Sequence, residues 1–349
     1  MSNAASTPPW PPGTATATGS MPGTDPLEAA AIVVGELPDL PPLPELPNRG
    51  LGTDLVGRTA ALLVDIAVEV VPSAYRVTAR PGADHRRAVD QLRRDLDAFE
   101  QALEQAGAHP PLVKVQVAGP WTLTSEVELP RGHRVLTDPG ALREFCESLA
   151  EGLAGHIAEV RKRTGADVVV QFDEPSLPAV LAGALRSPSG LSMVPAVAEP
   201  EARDVLAELI SAAGRITGQP VVVHCCASRP PVKLIRAAGA DAIGLDATLL
   251  EGTPAVFTDQ LGEAFDDGCV LFLGLVPSTE PATPLTLERA ARPALNLVDR
   301  LGFPRETLAE RAVPTPTCGL AGATTAWARR ALALARDLGK AFVEPPESW

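Results

Sequence analysis

The stretch Val221-Val222-Val223-His224-Cys225-Cys226 runs three β-branched residues directly into an imidazole and two thiols. It reads as a short buried strand that ends in soft metal ligands. Two other segments repeat the arrangement: Ala242-Ile243-Gly244-Leu245-Asp246, and Val313-Pro314-Thr315-Pro316-Thr317-Cys318-Gly319. In a barrel of parallel strands, the C-terminal strand ends converge on one mouth, where chemistry is done. His224, Cys226, Asp246 and Cys318 are therefore expected around a single ion. An imidazole with two thiolates suits zinc, in a catalytic site that keeps a position for substrate.

Outward from these segments the chain alternates between strand and helix patterns. Val89, Leu92, Leu96, Phe99 and Leu103 fall on one helical stripe that Gly107 stops, and Val113 to Ala118 reads as the next strand. Asp138-Pro139 caps a helix carrying Leu142, Phe145, Leu149, Leu153, Ile157 and Val160 on one face, and Val168 to Phe172 follows as a strand. Helical Ala202 to Ala213, Val232 to Ala238 and Leu285 to Leu301 separate strands at Val221 to Val223, Ala242 to Leu245, Val270 to Leu275 and Ala312 to Thr315. An Ala-rich helix through Trp327 and Leu338 closes the chain. Strands separated by helices imply parallel pairing with right-handed crossovers. The expected fold is α/β, a single (β/α)8 TIM barrel over residues 13–349 behind a disordered tail at 1–12. A doubly wound open sheet is the alternative, but no Gly-rich dinucleotide fingerprint follows an early strand. Thr14 to Pro22 reads as a strand and turn, and Glu36 to Pro47 as a long Pro-rich surface or mouth loop.

The 349 residues are 45% hydrophobic, which supports a large core, and carry a formal charge of −13. A phosphate-backbone binder needs clustered Lys and Arg, so no nucleic-acid partner is expected. Apolar runs break well short of the roughly 20 residues of a membrane span, and no signal core precedes them; a cytoplasmic protein is expected. Five scattered cysteines argue against a disulfide framework.

The bland alternative to a metal site is a set of small buried cysteines beside a satisfied histidine. Cys318 speaks against it, because Pro316 and Gly319 around it break the elements from which cores are made. Cys225 alternates to the opposite face from His224 and Cys226 and belongs to the core, as do Cys146 and Cys269. His85, His109, His133 and His156 fall on polar helix faces or loops, where a solvated histidine is ordinary. Asp173-Glu174-Pro175 closes a strand, either as a helix cap or to grip a substrate ammonium at the mouth. Trp121, in Gly119-Pro120-Trp121-Thr122, lines a pocket or covers the core.

These motifs together resemble the C-terminal catalytic barrel of the cobalamin-independent methionine synthase family. The segments that carry the resemblance are Thr18-Gly19-Ser20-x-Pro22, Gly119-Pro120-x-Thr122, Asp173-Glu174-Pro175-Ser176-Leu177, His224-x-Cys226, Ala240 to Asp246 and Cys318-Gly319-Leu320, in the family's order and spacing. The resemblance implies a TIM barrel in which Zn2+ activates the thiol of homocysteine for methylation to methionine. It assigns His224, Cys226 and Cys318 as zinc ligands, Asp173 to the homocysteine amino group, and Gly19 and Ser20 to its carboxylate. Where the family's acidic zinc ligand is Glu, this chain has Asp246, which leaves open direct ligation, ligation through water, or three protein ligands. For the second amino-group acid, Glu45 is the nearest candidate, with Asp54 behind it.

The departures from the family concern the methyl donor. Full-length members carry a duplicated N-terminal barrel that helps hold a polyglutamylated folate, and 349 residues hold one barrel. Glu126 stands where a folate-contacting Trp is expected, Ala179 where an acid is, and Val276-Pro277-Ser278-Thr279 replaces a segment that supplies a general acid. A methyl-folate departs poorly unless its nitrogen is protonated. The expected donor is therefore a methyl-corrinoid, methylcobalamin or a corrinoid protein. Rival expectations are an alkyltransferase acting on another thiol such as coenzyme M, with Arg49 as the cation for a sulfonate, and a non-catalytic zinc- or corrinoid-binding protein. Uroporphyrinogen decarboxylases share the fold but need no metal, so the two cysteines count against them.

Overall fold

The computed structural model describes residues 8–72 and 74–346. In chain order the elements are α1 (Pro26–Glu36), α2 (Leu55–Ala60), β1 (Ala67–Val71), β2 (Ala74–Thr78), α3 (Ala83–Ala106), β3 (Leu112–Ala118), α4 (Pro120–Glu126) and β4 (Val127–Glu128). Next come α5 (Pro139–Thr164), β5 (Asp167–Asp173), α6 (Leu177–Leu181), α7 (Glu199–Thr217), β6 (Val221–His224), α8 (Val232–Ala237) and β7 (Ala242–Asp246). The last are α9 (Ala255–Asp266), β8 (Val270–Val276), α10 (Leu287–Leu301), α11 (Thr307–Arg311), β9 (Ala312–Pro316) and α12 (Thr325–Val343).

The site is built on a six-stranded sheet in the order β3-β5-β6-β7-β8-β9, every pair parallel. Each neighbour in space is the next of these strands in sequence, as expected when every crossover carries helix back along one face. The α/β class and the parallel pairing match the sequence expectation, but the regular sheet has six strands rather than eight. Two extended segments run along its edges. Thr16 N–H donates to Pro314 O on β9 (3.2 Å), Met21 N–H to Glu45 O (2.8 Å), and Leu43 N–H to Lys114 O on β3 (2.8 Å).

That arrangement corrects the Pro-rich loop. Residues 40–46 are buried, with Leu40 and Leu46 at 0% exposure and Glu45 at 5%. Pro41 and Pro42 have no N–H to give, yet Pro41 O accepts from Lys114 N–H (3.0 Å), so an edge position suits them. The tail expectation is also corrected in part. Trp10 is 6% exposed and packs edge-on against Phe272, with ring centroids 5.6 Å apart. It joins Leu40, Leu112, Val169, Val222, Ala242, Val270 and Val313 in a small cluster apart from the main core. Residues 1–7 lie outside the described residues.

Helix boundaries follow local chemistry. Asp138 caps α5 by accepting from Gly140 and Ala141 N–H, and Gly107 and Gly165 stop α3 and α5 as left-handed caps. Asp25 does the same for α1, taking Leu27 and Glu28 N–H. A second sheet, β1-β2-β4, pairs β1 with β2 antiparallel and β2 with β4 parallel. No described helix is long and apolar enough to cross a membrane.

His156 departs from the expectation of a solvated histidine. It is 7% exposed on α5, and burial pulls it from its ordinary 6.5 down to about 4. Between those values the unfolded chain takes up a proton that the folded chain refuses, so stability is lost as pH falls from about 6.5 to 4. His156→Gln is expected to remove up to about 3 kcal/mol of that loss, read as a flatter pH dependence of the urea midpoint than in the parent. Trp10→Ala is expected to cost about 3 to 5 kcal/mol in the same measurement at pH 7, and a loss under 1 kcal/mol would mean that the indole does not plug the sheet.

Candidate functional site

The C-terminal ends of β3, β5, β6 and β7 place Ala118, Asp173, His224 and Asp246 along one rim, since Ala118 pairs with Asp173, Asp173 with His224, and His224 with Gly244. Cys318 follows β9, and its sulfur lies 3.4 Å from that of Cys226, although 92 residues separate them in sequence. The two sulfurs share a hydrogen bond that favours one thiolate in the pair. With Cys226 as partner and His224 nearby, Cys318 is pulled below the ordinary thiol value, while the same contact pushes Cys226 up. Cys225, Cys146 and Cys269 are buried and free, as expected of core cysteines.

His224 is 7% exposed. Its Nδ1 lies 2.7 Å from Asp173 Oδ1, while its Nε2 is buried with no partner. A buried unpaired nitrogen is costly and calls for a ligand. Thr18 Oγ1 is a second buried atom without a partner, about 3.9 Å from where a Cβ on Gly319 would stand. That same Cβ would lie 1.9 Å from Ser20 Oγ, and Leu320 N–H donates to Ser20 O (2.8 Å). The Gly19-Ser20 turn therefore abuts Cys318-Gly319. Gly19, at φ +144°, lies so close to Gln116 that a side chain would stand 2.4 Å from Nε2.

The donor chemistry fits zinc at this rim: two adjoining thiols and an imidazole nitrogen left bare. The full set is not assembled, because among the described residues no three His, Cys, Asp or Glu side chains gather at metal-binding spacing. Asp246 Oδ1 is engaged by Thr248, accepting from its N–H (2.9 Å) and its hydroxyl (2.6 Å). A cavity of about 390 Å³ between the 247–253 segment and α10 touches this region through Thr248.

Three expected site residues have protein partners of their own. Trp121 is fully buried, its indole N–H bonded to Ala202 O (2.9 Å), so it covers the core and does not line the mouth. Asp173 Oδ1, expected to hold a substrate amine, already accepts from Gln171 Nε2 (2.8 Å) and meets His224. Asp54 caps α2 and accepts the Tyr75 hydroxyl. Glu45 remains inside, receiving Gln116 Nε2 (3.3 Å), with Arg58 Nε 3.8 Å away, and burial pushes its carboxyl up to about 7. Arg49, the cation a sulfonate would need, is tied to Asp95 (2.7 Å) together with Arg58.

Sequence reasoning missed Lys114. It is completely buried, its Nζ donating to Gln171 Oε1 (2.7 Å), Gln116 Oε1 (3.2 Å) and Thr18 O (3.3 Å), and burial pulls it down to about 7. A Lys at an inward position of a fully buried strand was the available signal.

Glu174 resolves the choice between cap and ligand. It is buried, and its carboxylate accepts from Trp121 N–H (2.9 Å), Thr122 N–H (2.8 Å) and the Thr122 hydroxyl (2.8 Å) at the start of α4. A Cβ on Gly119 would lie 2.3 Å from Glu174 Oε1, which accounts for the glycine. Burial holds this carboxyl up at about 7. Glu174→Ala orphans three buried donors and is expected to cost at least about 3 kcal/mol in thermal unfolding, whereas a change within 0.5 kcal/mol would mean that the cap is dispensable.

The sequence profile described as "Cobalamin-independent synthase, Catalytic domain" matches residues 13–341. A structure of a B12-independent methionine synthase from Shewanella sp. W3-18-1 in complex with selenomethionine superposes with a TM-score of 0.57 at 13% identity, over 95% of this chain and 98% of that one. A methyltransferase from Methanosarcina mazei gives a TM-score of 0.55 at 18% identity, over 94% and 93%. At such identities the two structures speak to the fold alone. A search of curated proteins finds no match. The profile match over nearly the whole chain places it in the family of cobalamin-independent methionine synthases, through their catalytic domain, and the protein is a methyltransferase.

Proposed function

We propose that the protein methylates the thiol of homocysteine to give methionine, with zinc held by His224, Cys226 and Cys318 and with Asp246 released from Thr248 as a further ligand. The observation that carries this reading is the pair of thiols at 3.4 Å beside a buried, unpartnered imidazole nitrogen at the strand ends. A bound zinc ion would supply Lewis acidity, keeping a substrate thiol ionised at neutral pH, where a free thiol is only a few per cent anion. The extended segments at 14–21 and 40–46 complete a (β/α)8 ring and bring Gly19, Ser20 and Glu45 to its mouth. There Gly19 and Ser20 face the amino-acid carboxylate, and Glu45 with Asp173 faces the ammonium.

The donor in this proposal is a methyl-corrinoid. The substrate sulfur attacks the methyl carbon, and the carbon–cobalt bond breaks with its electron pair retained on cobalt, so no proton is needed. A folate nitrogen would need one, and Val276 to Thr279 contain no acid. The family's description as cobalamin-independent stands against a corrinoid, so the donor is decided by assay. Purified protein should methylate homocysteine from methylcobalamin faster than from methyl-folate, and Cys318→Ser should abolish transfer and lower zinc content while leaving the melting temperature within a few degrees. Turnover with methyl-folate alone rejects the donor; full activity in Cys318→Ser rejects the site.

A further inference from the structure

Four buried side chains form one hydrogen-bonded line from the interior to the rim. Lys114 Nζ donates to Gln171 Oε1 (2.7 Å), Gln171 Nε2 donates to Asp173 Oδ1 (2.8 Å), and Asp173 Oδ1 lies 2.7 Å from His224 Nδ1. Their exposures are 0, 2, 7 and 7% respectively, so water does not compete. Gln171 and Asp173 are two residues apart on β5 and so share a face.

The direction of each bond follows from which atoms have protons to give. Gln171 Nε2 also lies 2.9 Å from the carbonyl of Thr18, which only accepts, so the amide nitrogen must be on that side. The amide oxygen then faces Lys114, which, charged or neutral, has a proton to donate. The Thr18 carbonyl thus forbids the flipped amide, and the Lys114 contact is consistent with that orientation. Asp173 Oδ1 consequently receives an N–H from Gln171, and as a carboxylate oxygen it can only accept from the ring as well. The proton of a neutral His224 must therefore sit on Nδ1.

We propose that Lys114 and Gln171 are positioning residues for His224: acting through Asp173, they hold the imidazole in the tautomer that leaves Nε2 bare at the mouth. This rests on the zinc reading above, because a bare nitrogen is what a metal ligand must present. It also explains why Nε2 is buried without a partner while Lys114 Nζ, both Gln171 amide atoms, Asp173 Oδ1 and His224 Nδ1 all have one.

The test is nitrogen NMR of metal-free, full-length protein labelled with ¹⁵N-histidine, with His224 assigned by difference from His224→Gln. The parent should show a single tautomer protonated at Nδ1. Gln171→Leu should populate both tautomers and weaken zinc binding, measured by chelator competition, by about 10- to 100-fold. Lys114→Met should do the same if it folds; the parent spectrum needs no variant. A proton on Nε2 in the parent, or a folded Gln171→Leu that keeps both the tautomer and the zinc affinity, overturns the inference. Failure of homocysteine methylation with these spectra unchanged would overturn only the proposed substrate.

Discussion

Lys114, Gln171, Asp173 and Glu45 form a buried polar layer that runs from the apolar cluster around Trp10 up to the rim. An ion taken there costs several kcal/mol unless its partners are well placed, and removing one partner leaves the other stranded. The polar layer is therefore nearly all-or-none. Lys114 needs Thr18, Gln116 and Gln171; Glu45 needs Gln116 and Arg58. These residues come from the 14–21 segment, the Pro-rich segment, α2, β3 and β5. Satisfying the charges fixes how the two irregular segments lie against the sheet, and so where Gly19, Ser20 and the His224 ring stand.

What could be read from the sequence was what periodicity and local chemistry encode. The stripe ending at Gly107, the Asp138-Pro139 cap and the run Val221 to His224 each specify their element within a few residues, and the structure has them. Three things were not legible. Asp25-Pro26 carries the same cap signal as Asp138-Pro139, but the Pro-rich surroundings masked α1. The Pro-rich segment reads as a loop because prolines break regular elements, yet its carbonyls serve an edge as well as any strand's. The β1–β2 hairpin alternates in too short a span to stand out beside the longer helices.

At the site, Cys226 and Cys318, expected to share an ion, have sulfurs 3.4 Å apart across 92 residues of sequence. The role of Asp173 was only half legible. A carboxylate after a strand suggests a grip on an ammonium, but sequence spacing does not reveal that its oxygen is already shared by an amide and an imidazole. For Trp121 and Glu174 the sequence leaves a mouth role and a structural role open, and the tryptophan fills the core while the glutamate caps α4. Position at a strand end brings a residue near chemistry, and its hydrogen-bond partners decide whether it takes part.

The central claim is that His224, Cys226 and Cys318 hold one zinc ion with a position kept for a substrate sulfur. Zinc-edge X-ray absorption on the zinc-loaded protein, recorded with and without homocysteine, tests it most directly. The account predicts nitrogen and sulfur scatterers in the resting protein and one more sulfur when homocysteine is added. A shell without cysteine sulfur, or one that homocysteine leaves unchanged, contradicts it.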